Sequence, residues 1–257
     1  MPQRIISLTP SLTEILFALD CGHRVAGITD SCDYPAGAAD LPNVGCWFDP
    51  DMTKLKALKP DLVLGLQTAH RPLQAGLESN GIRLILVNPV SVEGAIADIT
   101  RIGDILGAHE AAESLTAALA ARLSAIDAAV AKISGQSRQT ACRILDLDEG
   151  RFLVAGPLSF QYDIITRAGG QNVTCELDEA YPKATLRELR EWDPQVIFNC
   201  GFDLSTLPGV ADKPEWQSLQ AVQSGRVFTF DCALTCRTGP RIVDMVELLF
   251  KTLYSVE

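Results

Sequence analysis

The chain predicts an α/β fold: two Rossmann-like lobes with central parallel sheets, joined by one long backbone α-helix. Three observations carry this. A strand–loop–helix unit occurs twice, a helix–Pro–strand unit follows each copy in the same order, and an unbroken amphipathic stretch lies between the two halves.

Residues 4–22 read RIISLTPSLTEILFALDCG and residues 151–170 read RFLVAGPLSFQYDIITRAGG. Each gives an apolar strand, a Pro-containing loop, an amphipathic helix and a terminal Gly suited to a helix C-cap. TKLKALKPDLVLG at 53–65 then matches RELREWDPQVIFN at 187–199. Both read as a short helix ended by Pro, then a buried-type strand. Leu55 corresponds to Leu189, Pro60 to Pro194, and Leu62-Val63-Leu64 to Val196-Ile197-Phe198.

Between the halves runs HEAAESLTAALAARLSAIDAAVAKIS, 109–134, with no Gly or Pro before its end. Leu115, Leu119, Leu123, Ile126, Val130 and Ile133 step by three or four and form one apolar stripe. A helix of this length would extend roughly 39 Å and act as a stiff strut. The expected domains are therefore an N-terminal lobe over 1–108, a backbone helix over 109–134 and a C-terminal lobe over 135–257. SGQSRQT at 134–140 reads as the loop into the second lobe.

A chain of 257 residues with 47% apolar and 21% charged content is ordinary for a globular protein. Its formal net charge of -10 argues against a nucleic-acid partner. No apolar run reaches membrane-spanning length. MPQRIISL runs straight into a strand, with no basic segment and apolar core ahead of it. The expectation is a periplasmic or otherwise extracytoplasmic protein if Met1 replaces a removed signal peptide, and a cytoplasmic one otherwise. The chain has no G-x-S-x-G elbow, Walker loop or H-E-x-x-H motif, so it is read as a non-enzyme.

The eight cysteines are the main chemical feature. Cys21, after a helix, and Cys142, opening the strand CRILDL, read as small buried hydrophobes. Cys32, Cys46, Cys175, Cys200, Cys232 and Cys236 fall in loops at strand ends, where open α/β sheets bind ligands. Thiolates favour soft metals and iron–sulfur clusters. Cys32, Cys46, Cys200, Cys232 and Cys236 are the candidate metal ligands, with Cys232 and Cys236 forming a C-x3-C pair. A thiolate-bound metal or cluster, a disulfide within the set, and small residues lining a pocket all stay open at this point.

The chain resembles the helical-backbone (class III) substrate-binding proteins of ABC importers, most closely their cobalamin-binding branch. The residues that carry the resemblance are RIISLTPSLTEILFALDCG, DSCDYP at 30–35, LPNVGCWFDPDMTKLKALKPDLVLG at 41–65, GGQNV at 169–173, DPQVIF at 193–198 and RTGPRIVD at 237–244. The resemblance implies a binding protein that holds a small metal-containing ligand between strand-end loops and passes it to an ABC permease. The implied ligand is a corrinoid, a haem or a siderophore, and a monomer is expected. The alternative on the same scaffold is a carrier or sensor whose thiolates hold a soft metal ion or an iron–sulfur cluster.

The loops so implied supply the ligand-binding candidates. Tyr34, Trp47, Phe48, Phe160 and Phe202 would line a large planar ligand. Gln67 and Arg71 lie on the loop after LVLGL, Arg237 offers charge near the last helix together with Arg241, and His70 would cap a metal at the cleft mouth or sit as a solvated loop residue. Two departures accompany the resemblance. Relatives of the cobalamin branch carry a Glu on each lobe that docks on permease Arg residues, and those positions are Thr53 and Arg187 here, with Glu188 adjacent. Those relatives also hold cobalamin without a set of thiols.

Overall fold

The computed structural model describes residues 1–148, 151–201, 209 and 212–255. The chain divides into two compact units. One comprises Met1–Pro89, Glu93–Ala120 and Thr238–Pro240, and the other Val90–Val92, Ala121–Arg237 and Arg241–Glu257.

The first unit is built on strands β1 (Ile5–Ser7), β2 (Val25–Ile28), β3 (Leu62–Leu66) and β4 (Arg83–Val87), in the order β2-β1-β3-β4 and all parallel. Parallel neighbours cannot be joined by tight turns. The crossovers carry α1 (Pro10–Ala18), α2 (Met52–Ala57), α3 (Gln67–His70) and α4 (Gln74–Glu78), and α5 (Val92–Leu106) follows β4. Ile5 and Ile6 on β1 and Leu62 and Val63 on β3 are fully buried, as befits central strands covered on both faces. The core combines Ile6, Leu8 and Val63 with Leu55 of α2, Leu77 of α4, Val44 and Ile82.

The second unit contains β5 (Thr140–Asp148), β6 (Arg151–Val154), β7 (Gln171–Asn172), β8 (Lys183–Thr185), β9 (Val196–Cys200) and β10 (Val227–Phe230), in the order β10-β9-β5-β6-β8 with β7 paired to β5. Its helices are α7 (Phe160–Arg167), α8 (Leu186–Trp192), α9 (Gln220–Gln223), α10 (Cys232–Thr235) and α11 (Ile242–Tyr254). The expected parallel strands are present in this sheet, and antiparallel strands extend it on one side. β10, β9 and β5 run parallel, but β6 is antiparallel to β5 and β8 antiparallel to β6. Only two residues separate β5 from β6, too few for a parallel crossover. The first repeat therefore delivers a strand and a helix in both units but places the strands differently. β1 sits between parallel partners, β6 between antiparallel ones.

The second repeat is reproduced down to its backbone. α2 is capped by Asp51, whose carboxylate accepts from the Thr53 and Lys54 N–H groups. α8 is capped by Thr185 in a reciprocal box with Glu188. Each helix is followed by a left-handed residue immediately before its Pro, Lys59 (φ 47°) and Asp193 (φ 40°). The chain then enters β3 or β9.

The long helix α6 (His109–Val130) is 22 residues, about 33 Å, and stops short of the expected end at 134. Leu119, Leu123, Ile126 and Val130 are buried, while Leu115 and Ile133 are only partly covered. Ile133 lies beyond the last helical turn, ahead of Ser134 and Gly135. At the flank of this buried stripe Arg122 bonds Asp244 and Glu247 of α11.

Candidate functional site

In the first unit the chemistry sits at the carboxyl ends of β1 and β3. β3 runs directly into α3, whose last residue is His70. Sequence reasoning placed His70 at an open mouth, and the structure corrects this: the side chain is fully buried. The Leu66 N–H donates to Nδ1 at 2.9 Å, so the ring proton resides on Nε2, which donates to the Trp47 carbonyl. Burial pushes the imidazole below its usual range, against the pull of these two backbone bonds, and the ring is neutral. With both nitrogens engaged, His70 is not a metal cap.

What His70 does instead is hold the loop that carries Trp47. The Trp47 ring meets Phe48 edge-to-face at 5.7 Å and the imidazole at 6.3 Å. Tyr34 (48% exposed), Trp47 (36%) and Phe48 (63%) are large apolar side chains presented to solvent. Gln67 and Arg71 are exposed on the same strand-end segment as His70. Gly65 makes the arrangement possible, because a Cβ there would come within 2.8 Å of the His70 ring.

Cys32 also needs correction as a metal ligand. It is 3% exposed, and its sulfur lies 3.1 Å from the Thr13 hydroxyl, which donates to it, and 3.4 Å from that of Thr29. Its neighbours are those of a structural thiol. Cys46 is half-buried and Cys175 exposed. Cys21 and Cys142 are buried, as expected of small hydrophobes, and burial drives the Cys142 thiol up to about 12.

In the second unit three of the predicted thiols meet. β9 ends at Cys200, and its parallel neighbour β10 places Phe230 in register with Cys200. Asp231 then caps α10, accepting from the Ala233 N–H. This single turn sets Cys232 and Cys236 four apart, with the Cys236 N–H bonded to the Cys232 carbonyl. The C-x3-C spacing thus works as a helical i,i+4 pair. The Cys200, Cys232 and Cys236 sulfurs lie within 4.8 Å of one another, with Cys200 and Cys236 at 3.0 Å.

Sequence reasoning missed the group that organises them. Arg143 on β5 is in register with Phe198 of β9, and Cys200, two residues on, returns to the same face. The guanidinium is 1% exposed and donates to the Thr235 carbonyl (2.8 Å) and to the sulfurs of Cys200 (3.3 Å) and Cys236 (3.2 Å). The one sequence clue was a charged residue inside the otherwise apolar run CRIL. Cys200 is held down to about 7, first because the Cys236 S–H donates to it and further by the Arg143 charge, against the opposing effect of burial. Cys236 is pushed up, first by donating and then by burial, and Cys232 is raised by burial.

The remaining candidates stand apart from this cluster in role. Phe160 opens α7 behind its N-cap Ser159 and is 9% exposed, a core position rather than the open lining expected of it. Arg237 is half-buried and bonded, and Arg241 sits at the N-cap position of α11 without a side-chain capping bond. Phe202 lies outside the described residues. Tyr181, 39% exposed with its hydroxyl donating to Gln161 at 2.8 Å, is an aromatic that no motif in the chain marks out.

The periplasmic binding protein family model matches residues 5–234. The chain belongs to that family. It is 27% identical over 257 residues to an uncharacterised ABC transporter substrate-binding lipoprotein, YvrC, of Bacillus subtilis, covering 98% of this chain and 80% of the relative. It is 26% identical over 199 residues to the vitamin B12-binding protein of Salmonella choleraesuis, covering 77% of this chain and 72% of the relative. A periplasmic haem-binding protein from Pseudomonas aeruginosa shares the fold at a TM-score of 0.88 and 24% identity, over 99% of this chain and 94% of that one. Family members are binding proteins, and no helix among the described residues is long and apolar enough to cross a membrane.

Thr53 and Arg187 fall at matching places in the two copies of the second repeat. Thr53 is the second residue of α2 and Arg187 the second of α8. Both are exposed, and Arg187 pairs with Glu191 at 2.9 Å. Glu188 is occupied by the capping box, where burial is slight and its bonds from Thr185 pull its carboxyl below the usual range.

Proposed function

We propose that this chain is the substrate-binding component of an ABC importer and that its cargo is a metal-containing tetrapyrrole, a corrinoid before a haem. The single observation that carries the reading is the family match over 5–234, which joins a chain with vitamin B12-binding and ABC substrate-binding relatives. The exposed aromatics Tyr34, Trp47 and Phe48, the last two on a backbone that His70 holds, support it, since large flat ligands are gripped by such faces. In this reading 1–108 and 135–257 act as the two lobes and 109–134 as their connector. Capture makes or breaks no covalent bond. The site of action is extracytoplasmic, in keeping with the periplasmic binding protein family to which the chain belongs. With Thr53 and Arg187 where the docking carboxylates would be, the permease it serves would present a surface different from the Arg pair met by the cobalamin branch.

The test is a titration of the purified chain with cyanocobalamin and, separately, with haem, followed by tryptophan fluorescence and calorimetry. The expected result is saturable one-to-one binding of cyanocobalamin at micromolar Kd or tighter, about -8 kcal/mol or better. Binding of haem alone would move the cargo within the tetrapyrrole class, and binding of neither overturns the cargo reading.

A further inference from the structure

We propose that Cys200, Cys232 and Cys236 form a binding site for a single soft d10 metal ion, Cu(I) before Zn(II), with Arg143 as the fixed counter-charge of the metal–thiolate complex. The site is independent of the tetrapyrrole cargo.

Three features of the second unit point to it. The first is convergence: sulfurs from the end of β9 and from both ends of α10 lie within 4.8 Å of one another. Around a metal at roughly 2.3 Å from each sulfur, tetrahedral ligands sit about 3.8 Å apart. The three sulfurs, all within 4.8 Å of one another, are near this spacing and near the about 4.0 Å of a trigonal site, and the 3.0 Å Cys200–Cys236 pair would open by about 1 Å on binding. The rim is accessible, with Cys236 exposed and Cys200 and Cys232 half-buried.

The second is charge. A buried guanidinium needs a negative partner. Among the described residues the partners of Arg143 are one carbonyl and two sulfurs, with no carboxylate, and its Nε is buried without a partner. A bare cation would be repelled there. An ion wrapped in three thiolates is different: the complex is anionic, -2 for Cu(I) and -1 for Zn(II), and Arg143 offsets that charge. Each thiol that binds as thiolate gives its proton to water.

The third is donor count and type. The donors are all sulfur, which selects soft ions. Three of them complete a trigonal Cu(I) site, whereas Zn(II) prefers four ligands and would keep water in the fourth position.

The test is an anaerobic titration of the reduced full-length chain with Cu(I), and in parallel with Zn(II), against a competing chelator. The expected result is one equivalent of Cu(I) retained, with thiolate-to-metal charge-transfer absorption. Cys200→Ser with Cys236→Ser should weaken it by at least about 100-fold, the upper end of what loss of a mere outer-sphere partner costs. Cys232→Ser, at a position with fewer partners, gives a milder variant should the double one fold poorly, and it too should weaken the ion's hold. Cys46→Ser with Cys175→Ser should leave the equivalent in place. The proposal is overturned if the reduced wild type holds no chelator-resistant equivalent, if the variants of the trio retain it, or if Cys200 and Cys236 prove to exist as a disulfide whose reduced form takes up no metal. Cyanocobalamin binding that persists in the trio variants keeps this result separate from the cargo reading.

Discussion

Lys59 and Asp193 occupy the same left-handed backbone conformation, each directly before a proline and a buried parallel strand, in the two halves of one repeat. A non-Gly residue held there costs about 1–2 kcal/mol. Glycine should relieve that at Lys59, whose side chain has no bonded role among the described residues, so Lys59→Gly is expected to raise stability by up to about 1 kcal/mol once glycine's greater chain entropy is set against the gain. Asp193→Gly should not gain, because its carboxylate accepts from the Gln220 N–H at 2.8 Å. Urea unfolding of both variants checks this; an equal gain at both positions would show that the Gln220 bond contributes nothing.

Gly65→Ala places a methyl within 2.8 Å of a fully buried ring that is fixed by two hydrogen bonds. The expected loss is about 1–3 kcal/mol. Because the displaced ring bonds the Trp47 carbonyl, the loss should come with a change in tryptophan emission, read in the same thermal or urea experiment.

Phe48→Ala separates binding from folding. At 63% exposure the ring contributes little to stability, within about 0.5 kcal/mol. Loss of an aromatic face worth about 0.5–1.5 kcal/mol should weaken cyanocobalamin binding by about 2- to 12-fold. Unchanged affinity, measured by calorimetry, would remove Phe48 from the ligand surface.

The Arg122–Glu247 pair ties α6 to α11 and gives a pH dependence with a defined sign. The Arg122 hydrogen bond, then its charge, pulls the Glu247 carboxyl below its usual 4.5 despite some burial. A depressed carboxyl stabilises the fold above its unfolded value and loses that stabilisation as pH falls through its folded value. The contribution should therefore be complete above about pH 5 and fade below about 4.5. All three partners are more than a third exposed, so it amounts to at most about 1 kcal/mol and shrinks in salt. Glu247→Gln should flatten that acid limb in unfolding measurements between pH 3 and 6.

The two-lobe α/β architecture was legible because its cause is periodic. Leu55 and Leu189, Pro60 and Pro194, and the apolar triplets after them mark burial and chain stops that any copy of the unit must repeat. The antiparallel placement of β6 was not, since a strand's apolar pattern is the same whichever way its neighbour runs, and only the two-residue gap after β5 decides it. At the thiol cluster the residue types could be read and the membership could not. Cys32 lies in the loop after β2 and Cys200 ends β9, but one is enclosed by Thr13 and Thr29 and the other faces Arg143. His70 misled for a related reason: loop position in sequence says nothing about whether backbone donors and carbonyls close around a ring.

If the Trp47 face receives the proposed cargo, the bond from His70 to the Trp47 carbonyl bears on how quickly that cargo is taken up. The main chain beneath the exposed indole is already immobilised, so an arriving ligand need not restrain it, and the free energy of contact is not spent on ordering that loop. Association through this face should resemble collision with a rigid platform, with differences between ligands expressed in how fast they leave.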